Sequence, residues 1–189
     1  MFENLRADYR RVADPAEPLA RRWFNVLTNY GFLSIAVYRY GKYANGVKTP
    51  LVNLLLKIIY FAAKTLVEIL FGISIDVNSN IGPGFYIGHF GCIVIHGDLG
   101  AHCSVGQGVT IGSKGAGRSD GWPTLGDNVY VGTGAKIIGR IRIGDNVVVG
   151  ANAVVVRDVE AGMLAVGVPA RCRPRRPADA RPGSGGEMA

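Results

Sequence analysis

Cysteine is scarce in this 189-residue chain: Cys92, Cys103 and Cys172 are an odd number with no paired spacing. That excludes a disulfide framework and leads us to expect free thiols in a reducing compartment. Charge is thin, at 19% of residues against 48% hydrophobic, so most of the chain should bury a core. No basic motif is interleaved with aromatics, and the formal charge of +7 therefore does not read as a nucleic-acid surface. Much of that excess lies at the ends, in Arg6, Arg10, Arg11, Arg21 and Arg22, then in Arg171, Arg173, Arg175, Arg176 and Arg181. Such a fringe suits an anionic membrane surface or a phosphate-bearing ligand. The opening MFENLRADYRRVADP is polar, unlike a secretory signal, and a cytoplasmic protein is expected, with the inner face of the membrane as a further address.

A long uncharged apolar run is also missing. TPLVNLLLKIIYFAAKTLVEILFG comes nearest, in a region, residues 1–72, that reads as helical. Thr49 is placed to N-cap, Pro50 takes the first helical position and Gly72 is the stop. Asn53, Lys57, Lys64 and Glu68 form one narrow polar stripe on an apolar rod. A central lysine in a bilayer costs about 2.5–3.5 kcal/mol, which argues against a span. Burial against other helices or a partner subunit is expected, with peripheral membrane contact behind it.

What the sequence has in abundance is a repeat. Aliphatic residues recur every six positions: Ile75, Ile81, Ile87, Ile93, Leu99, Val105 and Ile111, then Leu125, Val131, Ile137, Ile143, Val149 and Val155. Glycine often follows, as at Gly82, Gly100, Gly126 and Gly144, and a compact residue such as Cys103, Val109, Val129, Ala135, Val147 or Ala153 comes four places on. Six fits neither a helix nor a plain strand. It marks a parallel β-helix, each hexad a short strand and a turn. Tight turns at backbone angles that glycine adopts most easily account for the many glycines. Between Ile111 and Leu125 the period slips, and GSKGAGRSDGWPT should leave the coil as a loop, where function often sits. The tail has no apolar period and reads as disordered. The expected division is a helical region over 1–72, a β-helix over 73–171 and a basic disordered tail over 172–189.

The hexad [ILV]-G-x-x-[small]-x resembles that of the hexapeptide-repeat acyltransferases. IGPGFYIGH, GQGVTIGSKG, GTGAKIIG, IGANAVV and VGVPAR, in that order, resemble their serine acetyltransferase branch, as does GFLSIAVYRYG before the coil. The resemblance implies a mainly β fold, a left-handed parallel β-helix with an N-terminal α-helical region. It also implies an acetyl-CoA-dependent O-acetyltransferase without a metal, working as a homotrimer with sites at the subunit boundaries. In that branch the catalytic histidine follows an I-G-x-G segment, which puts His89, after Ile81-Gly82-Pro83-Gly84, as the general base. A neutral imidazole suits that task near pH 7, with turn amides steadying the oxyanion and no covalent enzyme intermediate. Coenzyme A would lie along the coil against Gly112, Ser113, Thr133, Gly134, Ala151 and Asn152, with Lys114, Arg157 or the basic tail at its phosphates.

The sequence departs from the branch on the acceptor side. Ser74 stands where the branch has the aspartate that orients the histidine, and Asp76 follows two residues on, on the same side of a strand. Gly88 replaces the acid that precedes the histidine and meets the substrate amine. Gly121-Trp122 replaces a basic residue and a histidine before Pro123. The pattern is more similar to the serine-acetyltransferase-like enzymes of exopolysaccharide and O-antigen gene clusters. A sugar hydroxyl is the expected acceptor, with Asp76, Tyr86 and Trp122 on its side, since an aromatic suits a sugar's apolar face. Free L-serine is the alternative. Two other classes compete with these. A carbonic-anhydrase-like zinc site needs His89, His96 and His102 to converge, but the hexads put them on successive faces. A non-catalytic scaffold would not need a histidine at that place.

Overall fold

A computed structural model describes residues 2–115 and 121–176. Four helices come first: α1 (Phe2–Arg10), α2 (Leu19–Thr28), α3 (Tyr30–Gly46) and α4 (Pro50–Phe71). Pro50 opens α4 and Gly72 closes it at φ 62°, a left-handed angle that a side chain would strain. Thr49 holds the N-cap position, but its side chain makes no capping hydrogen bond.

α4 is packed inside out. Asn53 faces inward and donates to the carbonyls of Ala44 (2.7 Å) and Val47 (2.9 Å), which close the end of α3. Lys64 pairs with Glu68 at 3.6 Å, and Glu68 accepts a 2.6 Å hydrogen bond from the Ser74 hydroxyl. The aliphatic side points away, and Val67 is the helix's single buried residue. The expected burial against other helices is made in part: α4 packs on α3, with the Tyr60 ring against Gly41 and the Tyr40 hydroxyl donating to the Leu56 carbonyl at 3.3 Å, while the opposite aliphatic side is left uncovered within this chain. Among the described residues no helix is long and apolar enough to cross a membrane.

The coil has three faces. The first stacks β1 (Ile73–Ile75), β3 (Ile93–Ile95), β6 (Thr110–Gly112), β9 (Lys136–Ile138) and β12 (Val154–Val155). The second stacks β4 (Asp98–Leu99), β7 (Thr124–Leu125) and β10 (Arg142–Ile143). The third stacks β2 (Tyr86–Ile87), β5 (Ser104–Val105), β8 (Tyr130–Val131), β11 (Val148–Val149) and β13 (Met163–Val166), all parallel. Ile93, Ile111, Val131, Ile137 and Val149 are fully buried, and so are the compact residues Cys103, Val109, Val129, Ala135, Val147 and Ala153.

Two expectations change here. The glycines that follow the aliphatics do not sit at left-handed angles; those angles fall on other glycines and on Cys92, His102, Asn128, Asn146 and Asn152. The reason for glycine is crowding between rungs. A Cβ on Gly82 would stand 2.6 Å from the Ala101 amide nitrogen, and one on Gly132 would stand 2.7 Å from that of Ala151. The tail begins later than expected, because β14 (Arg171–Pro174) turns back and pairs antiparallel with β13, covering its open edge. The rest of the expected disordered tail, from residue 177, lies outside the described residues.

The helices plug the coil's first rung. Asp8 of α1 and Arg39 of α3 form a buried ion pair at 2.9 Å. Asp8 also accepts from the Phe85 amide (2.8 Å), and Arg39 donates to the carbonyls of Ile81 (2.5 Å) and Gly82 (2.6 Å). Gly31 lets α3 touch β2, since a Cβ there would lie 2.6 Å from the Ile87 carbonyl oxygen.

Candidate active site

Each rung turns three corners, and the candidate residues divide between two of them. The turn from the third face to the first holds His89, and its rungs stack through hydrogen bonds. Gly108 donates to Gly91 (2.9 Å), Gly134 to Gln107 (2.8 Å) and Asn152 to Thr133 (2.8 Å). Thr133, Gly134, Ala151 and Asn152 thus lie in one column with His89. The amides of Gly134 and Asn152 are engaged between rungs, while Thr133 and Ala151 are exposed along the column.

His89 is exposed and has no hydrogen-bond partner among the described residues. It borders a hollow of about 220 Å³ lined by Asn29, Tyr30, Gly31, Gly88 and Phe90. An aromatic chain fixes the turn that carries it: the Phe90 ring meets Tyr30 edge-on at 4.9 Å, and Tyr30 lies 4.7 Å from Phe71 at the end of α4. Tyr86 lies two residues before Gly88, under the guanidinium of Arg11 at 5.6 Å, so its ring is packed from above.

The turn from the first face to the second, at the far end of β3, holds the other group. Asp76 Oδ2 pairs with His96 Nε2, and the His96 ring stacks on Trp122 at 4.4 Å and 35°. Asp98 accepts from the Asn80 amide (2.7 Å) and side chain (3.1 Å) beside them. These residues surround a hollow of about 140 Å³. Gly112 ends β6 and Ser113 follows it at the same corner, one rung on; a Cβ on Gly112 would lie 3.9 Å from that of His96. The exposed loop leaves from here, with residues 116–120 outside the described ones. Asp76 is therefore placed to orient His96 and not His89, and the Ser74 hydroxyl donates its hydrogen bond to Glu68. His102 occupies the third corner, where its carbonyl accepts from Arg11 at 3.3 Å. The three histidines stand on three corners, and no group of three metal-ligating side chains converges among the described residues.

The bacterial transferase hexapeptide family (six repeats) matches residues 123–157. A serine acetyltransferase from Synechococcus elongatus is 37% identical over 90% of this chain and 68% of its own length. The chain belongs to the serine acetyltransferase family of hexapeptide-repeat transferases. It is accordingly an enzyme, an O-acetyltransferase built on that family's left-handed β-helix. The solved serine acetyltransferase of Neisseria gonorrhoeae superposes with a TM-score of 0.73 at 26% identity, covering 94% of this chain and 67% of that one. A second, from Brucella abortus in complex with coenzyme A, gives 0.68 at 28% identity over 89% and 66%.

Against the family pattern, His96 and Glu68 are what sequence reasoning missed. Hexad arithmetic advances 18 residues per rung, whereas β1 pairs Ile75 with Ile95 and β3 pairs Ile95 with Ile111. That two-residue shift brings Asp76 beside His96. The signal for it is local: Ile95 comes eight residues after Ile87, where its partner Ile111 comes six after Val105.

Proposed function

We propose that this enzyme moves an acetyl group from acetyl-CoA to the hydroxyl of L-serine, with His89 as general base. The observation that carries the reading is an exposed, partnerless imidazole at the head of the column formed by Thr133–Gly134 and Ala151–Asn152, in a chain similar to serine acetyltransferases over nine-tenths of its length. A His89 nitrogen takes the hydroxyl proton as the oxygen attacks the thioester carbonyl. The tetrahedral intermediate then collapses, and the leaving thiolate recovers that proton from the imidazolium. Coenzyme A, which the similar Brucella enzyme was solved with, would extend along the column here. Where the last rung leaves the first face, at the corner that also holds Gly112–Ser113, Arg157 and Arg171 with Asp158 line a hollow of about 450 Å³ that could take phosphates. Within one chain the His89 column and the Gly112–Ser113–Trp122 corner lie at opposite ends of the first face. A homotrimer would set the second corner of one subunit against the first of the next, which supports that assembly.

A second acceptor has its own support. Among the described residues no carboxylate lines the His89 hollow to hold a substrate ammonium, and Trp122 with Asp76, Asn80 and His96 offers the aromatic and polar groups a saccharide hydroxyl array takes. Thiol release from acetyl-CoA, with L-serine in one arm and a saccharide panel in the other, decides between them. His89→Ala should lower the rate by about 10²–10⁴-fold with either acceptor. Release with saccharide alone replaces serine as the acceptor, and an unchanged His89→Ala rate removes His89 as the base.

A further inference from the structure

The outer half of α4 has no occupant in this chain. At helical spacing Leu51, Leu54, Leu55, Ile58, Phe61 and Ile69 fall on one apolar arc running the length of the 22-residue helix, a rod of about 33 Å. These six are 57–79% exposed. The largest apolar patch of an ordinary monomer is about 300–600 Å² and often functional. α2 adds a second exposed stripe, Leu19, Trp23 and Leu27, at four-residue spacing.

Charge indicates what covers the arc. Residues 19–71 hold seven basic side chains and a single acid, Glu68, and so carry six of the chain's seven net positive charges. Asp8 neutralises Arg39, and Glu68 neutralises Lys64. Arg21, Lys48 and Lys57 remain exposed, with Lys57 on the flank of the arc. A lysine so placed lays its stem along apolar surface and keeps its ammonium among headgroups. A second copy would bring up the same basic rim, whereas an anionic lipid surface complements it.

We propose that α4 lies in the plane of an anionic lipid bilayer as an interfacial anchor, its apolar arc in the acyl boundary and Lys48 and Lys57 at the headgroups. The anchor does not depend on the acceptor, and its test needs none. Full-length protein is sedimented with vesicles of phosphatidylcholine and with a phosphatidylcholine–phosphatidylglycerol mixture. Binding is expected to the mixture, weakening with added salt. Ile58→Glu should abolish it, and Lys48→Gln with Lys57→Gln should lower the affinity by about tenfold or more. Each variant is checked for native circular dichroism and unchanged thermal unfolding in lipid-free buffer, with the milder Ile58→Ser as a second probe of the arc. Failure to bind the mixture overturns the proposal, as does binding indifferent to both Ile58 substitutions. A doubled assembly mass that Ile58→Glu halves, without vesicle binding, would assign the arc to a second copy instead.

Discussion

The coil and the helical region are about equally rich in aliphatic residues and use them in opposite directions. In the coil Ile93, Ile111 and Ile137 have no exposure, because each rung meets the next and the stack closes on itself. In α4 Leu51, Ile58 and Ile69 are more than half exposed, while the polar residues Asn53, Lys64 and Glu68 make the contacts inside. A repeat completes its core locally. The helices are finished only where they plug the first rung, and elsewhere they are shaped for something outside the chain.

Their junction should be the most sensitive point. Arg39→Ala leaves Asp8 buried and unpaired and strips the carbonyls of Ile81 and Gly82 of a donor. A loss of about 3–5 kcal/mol is expected in urea unfolding. A loss under 1 kcal/mol would mean the plug is not part of the cooperative unit. The contrast between regions is sharpened by a matched pair. Ile137→Ala, in the sealed stack, should cost about 2–5 kcal/mol. Ile58→Ala, on the outer arc, should stay within about 0.5 kcal/mol in detergent-free, lipid-free buffer. Equal losses would show that the arc is already covered.

How much of this was legible follows the same division. The hexads gave the coil, its buried residues and the His89 corner because one rung is a local unit, six residues repeating. Pro50 and Gly72 marked the ends of α4 through local backbone chemistry alone. The direction of α4 was not legible, since a stripe of four polar residues reads the same whether it faces solvent or the body. Asp76–His96 was hidden because it depends on a register shift between rungs, a non-local quantity. β14 was hidden because its sequence, RCRP, is strand only by virtue of the edge it covers.

Gly88 offers a test inside the well-read region. Its φ is not left-handed, and a Cβ there would make ordinary contacts of 3.7 Å with Tyr86 and Val105. Gly88→Asp should therefore leave stability within about 0.5 kcal/mol while placing a carboxylate beside His89. If serine is the acceptor, its KM should fall. A variant that folds with KM unchanged would show that the amine is gripped elsewhere.

The smallest effect expected lies at Tyr60, where α4's inner side meets α3. Its ring packs against Gly41, and burial pushes the phenol up to about 12, with the Asp76 and Glu68 carboxylates adding to the rise. An unfolded tyrosine titrates near 10. Above that pH the unfolded chain releases a proton that the native state holds. The stability linked to Tyr60 is thus fully present below about pH 10 and is lost as pH climbs toward 12. Tyr60→Phe should flatten this part of the stability–pH curve and leave the curve below pH 9–10 nearly unmoved. Burial also raises Tyr38, whose hydroxyl donates to the Ser79 carbonyl at 2.6 Å, so Tyr38 and Tyr60 should both ionise late and the variant should remove one of these two steps. If the late ultraviolet step is undiminished in Tyr60→Phe, the inner side of α4 is wetter than its packing indicates, and the contrast between its two sides weakens with it.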